Sequence, residues 1–345
     1  MRYAACNEHD VGPSGPSVCP EEWSITRREL AMGKSEWVYR GILPAMQCPF
    51  TTDLRIDEPE LRRLTAWLAG HRGIGGLVTN GHTGEVFALS AMQRAEVTRI
   101  VADEVKGALP VVSGINCEGI TEACEHAAMA KAAGASGLLV MPPHMWLRFG
   151  MRPEHVVEYF TAIGKSSGLD LVVHIYPAWT RAGYSFEVLA GLAKLPWVKC
   201  FKIGTREMNK YAKDIRTIRE NGPGKTILTC HDEYLLASMV QGVDGALVGF
   251  ASFIPDMIVD LYDAVCAGDL KKAMDLQYRI NPLKDAVYGG GEPTGDAHAR
   301  MKMAMYLAGR FKLPTVQPPT RLPEGAELQA IKDALKGAGL LQREA

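Results

Sequence analysis

The sequence predicts a (β/α)8 barrel, a TIM barrel, with a C-terminal helical appendage. Three observations carry this. Eight short apolar runs recur between residues 41 and 249, and segments with the spacing of amphipathic helices lie between them. Such alternation implies parallel strands joined by crossover helices, and eight units close a barrel. Finally, "GIGGLVTNG", "GASGLLVMPP" and "GVDGALVGF" each place G-x-x-G ahead of an apolar run, as if one helix–turn–strand unit recurs.

In chain order, the strand-like runs are 41–46, 75–79, 110–114, 137–141, 171–176, 198–203, 226–230 and 245–249. The helical segments are 57–69, 91–105, 120–132, 153–164, 186–195, 207–220, 234–240 and 255–265. An open doubly wound sheet would place a Gly-rich phosphate loop after its first strand, and "PAMQCPFTTD" is not one. Three further helical stretches, 270–287, 296–308 and 325–340, are joined by "LPTVQPPTRLP" and form the appendage. Residues 1–40 differ from the rest. Their "NEHDVGPSGPSVCPEEW" is rich in Gly, Pro and Ser and lacks an apolar period, which predicts an arm that is mobile or laid on a neighbour. The expected organisation is an arm over 1–40, a catalytic barrel over 41–268 and helices over 269–345.

Composition narrows the function. The 345 residues are 47% hydrophobic and 22% charged with a net charge of −1, so there is no basic excess for nucleic-acid binding. No apolar run reaches the length of a membrane span, and no basic-then-apolar leader opens the chain, so the expected location is cytoplasmic. Eight cysteines without a C-x-x-C pair predict reduced thiols.

The chemistry is expected at the C-terminal ends of the strands. In "PWVKCFKIGT" two lysines interrupt an apolar run. Being three apart, Lys199 and Lys202 face opposite sides of a strand. Lys202 lies near the C-terminal end, with Val198 and Cys200 expected on its face, while Lys199 can extend outward past the helices. A buried lysine must find an anion or give up its proton, and in the second case it becomes a nucleophile for a carbonyl. Both readings stand on strand position alone.

Other strand ends add candidates. After strand five, "HIYPAWTRAG" puts Tyr176 at the rim and His174 below it as an interior histidine. After strand two, "NGHTGEVFALS" offers backbone amides and the Thr83 hydroxyl as a carboxylate cradle. "MPPHMW" brings His144 and Trp146 to the same rim. His82 and His144 are candidate acid/base groups. Val248, closing the strand-eight run, is a candidate lining residue. His231, Asp232 and Glu233 could ligate a divalent metal, and are read instead as the start of the next helix. Glu85 is read as tying the strand-two turn, and Cys200 as packing.

These residues carry a resemblance. Over residues 41–340 the chain resembles the dihydrodipicolinate synthase/N-acetylneuraminate lyase family of class I aldolase barrels. "NGHTGEVFALS" is similar to the family's G-T/S-T-G-E turn, "YPAWTRAG" keeps its Tyr-x4-Arg-x-Gly spacing, and "CFKIGT" resembles its strand-six lysine segment. "VQPPTRLP" resembles a segment before its last helix.

The resemblance implies a Schiff-base lyase, without metal or organic cofactor, that acts on a pyruvate-type 2-oxo acid and an aldehyde. It also implies a homotetramer. Lys202 would form the imine and Tyr176 would move protons. Thr83 and neighbouring amides, including that of Gly84, would hold the carboxylate, and Arg181 would address the second substrate. Departures from the family pattern are His82 for a Thr or Ser, His144 for a second tyrosine, and Trp179 for a proline. They argue against the lysine-pathway activity, and Trp146 suggests an aromatic aldehyde of the hydratase-aldolase kind. The alternatives are a sugar-acid dehydratase using the same imine, a metal-dependent hydrolase barrel using His82, His144, His174 and Asp232, and a binding protein on a decayed scaffold.

Overall fold

A computed structural model describes residues 37–289 and 294–343. The expected arm therefore lies almost wholly outside the described residues. The eight strands are β1 (Gly41–Pro44), β2 (Leu77–Thr79), β3 (Val111–Ile115), β4 (Gly137–Val140), β5 (Asp170–Ile175), β6 (Val198–Ile203), β7 (Thr226–Thr229) and β8 (Gly245–Val248). They pair in parallel in the order β1-β8-β7-β6-β5-β4-β3-β2. The remaining seam, between β1 and β2, is held by isolated bridges from Ile42 to Ile74 and from Ala45 to Val78. The sheet is a nearly closed TIM barrel.

The crossovers are helical. They comprise α1 (Glu58–Ala69), α2 (Ala91–Val105), α3 (Ile120–Ala132), α4 (His144–Phe149), α5 (Pro153–Ser167), α6 (Phe186–Ala193), α7 (Met208–Asn221), α8 (Leu235–Met239) and α9 (Pro255–Cys266). The appendage is α10 (Leu270–Tyr288), α11 (Ala297–Leu307) and α12 (Gly325–Gly337). Local chemistry starts several of them. Asp57 accepts from the Glu60 amide at the head of α1, and Ser90 with Gln93 forms a capping box on α2. The short helix α4 has no counterpart in the periodicity reading, because a helix of 6 residues is too brief to show a period. None of the described helices is long and apolar enough to cross a membrane.

Side chains alternate across each strand, so one row fills the barrel and the other meets the helices. Leu43, Val78, Val112, Leu139, Val172, Cys200, Leu228 and Leu247, one per strand, pack together inside. Val198 departs from the expected face. Leu171 pairs with Val198 but Val172 pairs with Cys200, so the register slips by one residue and Val198 packs with the helix-facing layer. Cys200 and Lys202 keep the interior side. Cys48, Cys117, Cys124, Cys200 and Cys230 are free thiols, as expected, whereas Cys266 at the end of α9 is disulfide-bonded.

Closure leaves no room at the β1–β2 seam. A Cβ on Gly75 would lie 1.8 Å from the Arg40 carbonyl oxygen. Gly75→Ala must therefore push β1 from β2. The expected cost is about 3 kcal/mol or more, read as a lowered urea midpoint; an unchanged midpoint would contradict this closure.

Candidate active site

The strand ends open into a cavity of about 450 Å³. Lys202 reaches it from β6, Tyr176 from the end of β5, and His82 and Thr83 from the turn after β2. Val248 and Gly249 line it at the end of β8, and His298 enters from α11. Among the described residues, Lys202 Nζ has no hydrogen bond or ion pair. The structural reading of this lysine, an ammonium held by a carboxylate, is therefore not what the barrel contains.

Beside it, the Tyr176 hydroxyl lies 3.0 Å from His82 Nε2. The His82 ring stacks on Phe87 at 4.9 Å and approaches His174 at 5.6 Å. Burial, then the charges of Lys202, His298 and His144, hold His82 well below the ordinary imidazole range. Burial, Lys202, His82 and Arg206 do the same to His174. Burial, Lys202 and Lys302 bring His298 down to about 4. Burial pushes the Tyr176 phenol up, so it keeps its proton. The cavity thus holds a lysine, neutral imidazoles and an un-ionised phenol.

The turn after β2 is a short 3-10 helix, His82–Gly84, whose first amides lie outside its own hydrogen bonding. Thr83 is buried within it. The Gly84 amide is already spent on the Gly81 carbonyl at 3.0 Å, so Gly84 shapes the turn and does not line the cavity. Gly249 is required opposite, since a Cβ there would come within 2.9 Å of the Tyr288 hydroxyl and 3.1 Å of Thr83 Oγ1.

Glu85, which ends the turn with φ 57°, ties it down. Its carboxylate pairs with Lys302 of α11 and accepts the Gln317 amide at 2.8 Å. Lys302 is fully buried, donating also to the carbonyls of Cys48 at 2.8 Å and Thr315 at 3.0 Å.

Three more expected site residues lie elsewhere. Trp146 is buried beneath the rim against Tyr159 at 5.6 Å, because α4 turns its indole into the core. Its neighbour Leu147 lines the cavity instead. Arg181 is exposed, donating to the Arg148 carbonyl at 2.9 Å. His144 stands at the outer rim with Nδ1 2.9 Å from Glu118, where it heads α4. Its ring lies 5.2 Å from that of Phe87, which lines the cavity.

The stretch after β7 also departs from the sequence reading. Asp232 does not head a helix; it accepts the amides of Gly249 and Phe250 and the Tyr288 hydroxyl, and burial lifts it to about 6. Glu233 pairs with Arg206 at 2.7 Å. Both line the cavity, while His231 is packed beside Tyr211. The metal set His82, His144, His174 and Asp232 does not gather. The group of described side chains close enough to share an ion is Cys117, Glu122 and His126, outside the cavity.

Residues 38–338 match the dihydrodipicolinate synthetase family. The chain belongs to that family. It is 30% identical over 309 residues to the 4-hydroxy-tetrahydrodipicolinate synthase of Rhodopseudomonas palustris, covering 88% of this chain and 98% of the relative. Among solved structures it resembles a monomeric dihydrodipicolinate synthase variant, with a TM-score of 0.81, 21% identity and coverage of 90% and 100%. YagE, a prophage protein of the family from E. coli K12 solved with pyruvate, gives 0.78, 24%, and 88% and 99%. The protein is accordingly an aldolase-type lyase that forms or cleaves carbon–carbon bonds.

Within this family member, the sequence reading missed His298, Tyr288, Arg206 and Phe87 as cavity residues. Of these, Phe87 lies inside a quoted motif and Arg206 directly follows one, so both were open to detection. His298 and Tyr288 come from the appendage, whose folding over the barrel mouth no local pattern announces.

Two outcomes follow from the buried charges. Lys302→Met leaves the Glu85 side chain without its partner, and should cost about 3–5 kcal/mol in urea unfolding. The double variant with Glu85→Leu should lose less than the sum of the single changes. The depressed imidazoles give a pH dependence. Below about pH 6.5 the unfolded chain binds protons that the folded chain refuses, so stability falls as pH drops. For His298 that loss runs from 6.5 towards about 4. His298→Leu should flatten the decline between pH 7 and 5; an unchanged slope would remove His298 from this account.

Proposed function

We propose that this lyase works through an imine between Lys202 and a 2-oxo acid of the pyruvate type, and forms or cleaves the C3–C4 bond to an aldehyde. One observation carries the reading: Lys202 Nζ opens into the cavity without a carboxylate partner among the described residues, beside a phenol bonded to a neutral imidazole. A lysine side chain that opens into a cavity with no carboxylate holding it is placed for a carbonyl substrate to reach its nitrogen, the nucleophile of imine chemistry. The solved family member in complex with pyruvate supports the substrate class.

Tyr176 and His82 take the part of a hydroxyl relay. The phenol donates to the developing carbinolamine oxygen and recovers its proton through the 3.0 Å contact. Thr83 and the free amides of its turn suit the carboxylate. Once formed, the iminium draws the electron pair of the breaking C3–C4 bond while the C4 hydroxyl gives up its proton and becomes the aldehyde carbonyl, and the enamine results.

For the aldehyde, Arg181 is replaced in this reading by Arg206, which lines the cavity and pairs with Glu233. An aromatic aldehyde would meet Phe87 and Leu147 at the mouth, not Trp146.

Incubation with pyruvate and borohydride should leave a stable adduct on the peptide containing Lys202. Lys202→Ala should abolish it and Lys199→Ala should leave it intact. Tyr176→Phe should slow adduct formation about 100-fold without preventing it. A label on Lys199, or trapping that survives Lys202→Ala, would overturn the mechanism.

A further inference from the structure

Imine formation moves two protons from nitrogen to oxygen. Lysine enters as an ammonium with three N–H protons and ends as an iminium with one. The two that leave become the hydrogens of the departing water. One passes while Nζ is freed to attack C2, and one after the N–C2 bond has formed and the carbonyl pair has moved to oxygen. Tyr176 with His82 can carry one of them to the oxygen. Removing the other is eased by an acceptor on the nitrogen's side that passes it on to the same relay.

The neighbouring strand carries a candidate. β5 and β6 pair with His174 directly opposite Lys202. Both side chains leave the interior face of neighbouring strands, about 5 Å apart at the backbone. His174 is 6% exposed and lines the cavity. Its ring stands 4.9 Å from Tyr176 and 5.6 Å from His82, so it completes a triangle with the relay. Among the described residues its hydrogen-bonding capacity is almost unspent: Nδ1 is buried without a partner, and Nε2 has the Cys230 sulfur at 4.0 Å. A buried polar atom left in that state costs stability, and an apolar side chain would serve better if the position were only structural.

We infer that His174 is the proton acceptor for Lys202 Nζ during imine formation, returning that proton through Tyr176 to the hydroxyl that departs as water. This inference rests on the Schiff-base reading above. In cleavage and hydrolysis the same groups run in reverse, and no other reactant is consumed. The neutral state it needs is supplied by burial and by the nearby charges of Lys202, His82 and Arg206.

The test measures the rate of imine formation apart from its extent. Protein is mixed with pyruvate and quenched with borohydride at timed intervals, and adduct on the Lys202 peptide is measured by mass. His174→Leu should slow the approach to full labelling about 100-fold, the size of a lost acid/base group, yet reach the same final extent. Its urea midpoint should not fall, since an unpartnered imidazole is replaced by an apolar side chain. His174→Gln keeps a polar side chain without a titratable nitrogen, and should be slowed alike. Labelling by either folded variant within about twofold of the parent rate would overturn the role of His174. If instead the parent is not labelled at Lys202, the Schiff-base reading itself fails, and the two failures are distinguishable.

Discussion

One buried ammonium organises the mouth of this barrel. Lys302 has no exposed surface, and its desolvation is offset by the Glu85 carboxylate, two backbone carbonyls and the face of Phe50 at 4.4 Å. Those partners come from the loop after β1, the turn after β2 and the segment after α11. A charge in such a site cannot be left unpaired, so these segments are fixed relative to one another. The turn so held carries His82 and Thr83. On α11, His298 precedes Lys302 by four residues and so shares its face. The appendage is therefore part of the site and not an ornament on the barrel.

The second constraint is the charge of Lys202. With no carboxylate to answer it among the described residues, it acts on its neighbours, adding to burial in lowering His82, His174 and His298. A cavity of this kind favours an incoming carboxylate and keeps imidazoles free to receive protons. The acidic residues that line it are engaged elsewhere: Asp232 by two amides and a phenol, Glu233 by Arg206.

Much of this could be read from the chain alone. The eight strands fall where the apolar runs lie, within a few residues, because a barrel strand is buried on both faces and its pattern is local. Lys202, Tyr176, His82, Thr83 and Val248 could be chosen because strand ends and alternation are also local. Glu85 could be read as a tie, though not to what. The places where the reading failed involve distance in sequence or a break in period. Val198 changed faces because a register slip between β5 and β6 depends on the partner strand. Trp146 went into the core because α4 is too short to announce which side it buries.

What the sequence by itself determined is the barrel, its strand order and the residues at each strand's end, since periods of two and of 3.6 residues are written into the order of side chains. The tertiary structure alone decided which of those residues meet. Arg181 and His144 sit at rims as expected but turn away to Arg148 and Glu118. His298 and Tyr288 arrive from an appendage more than 80 residues beyond Lys202 in the chain. His174, an unremarkable interior histidine in the sequence, gains its position from the pairing of β5 with β6. Convergence depends on how strands tilt and helices fold back over the mouth, and no local pattern encodes that.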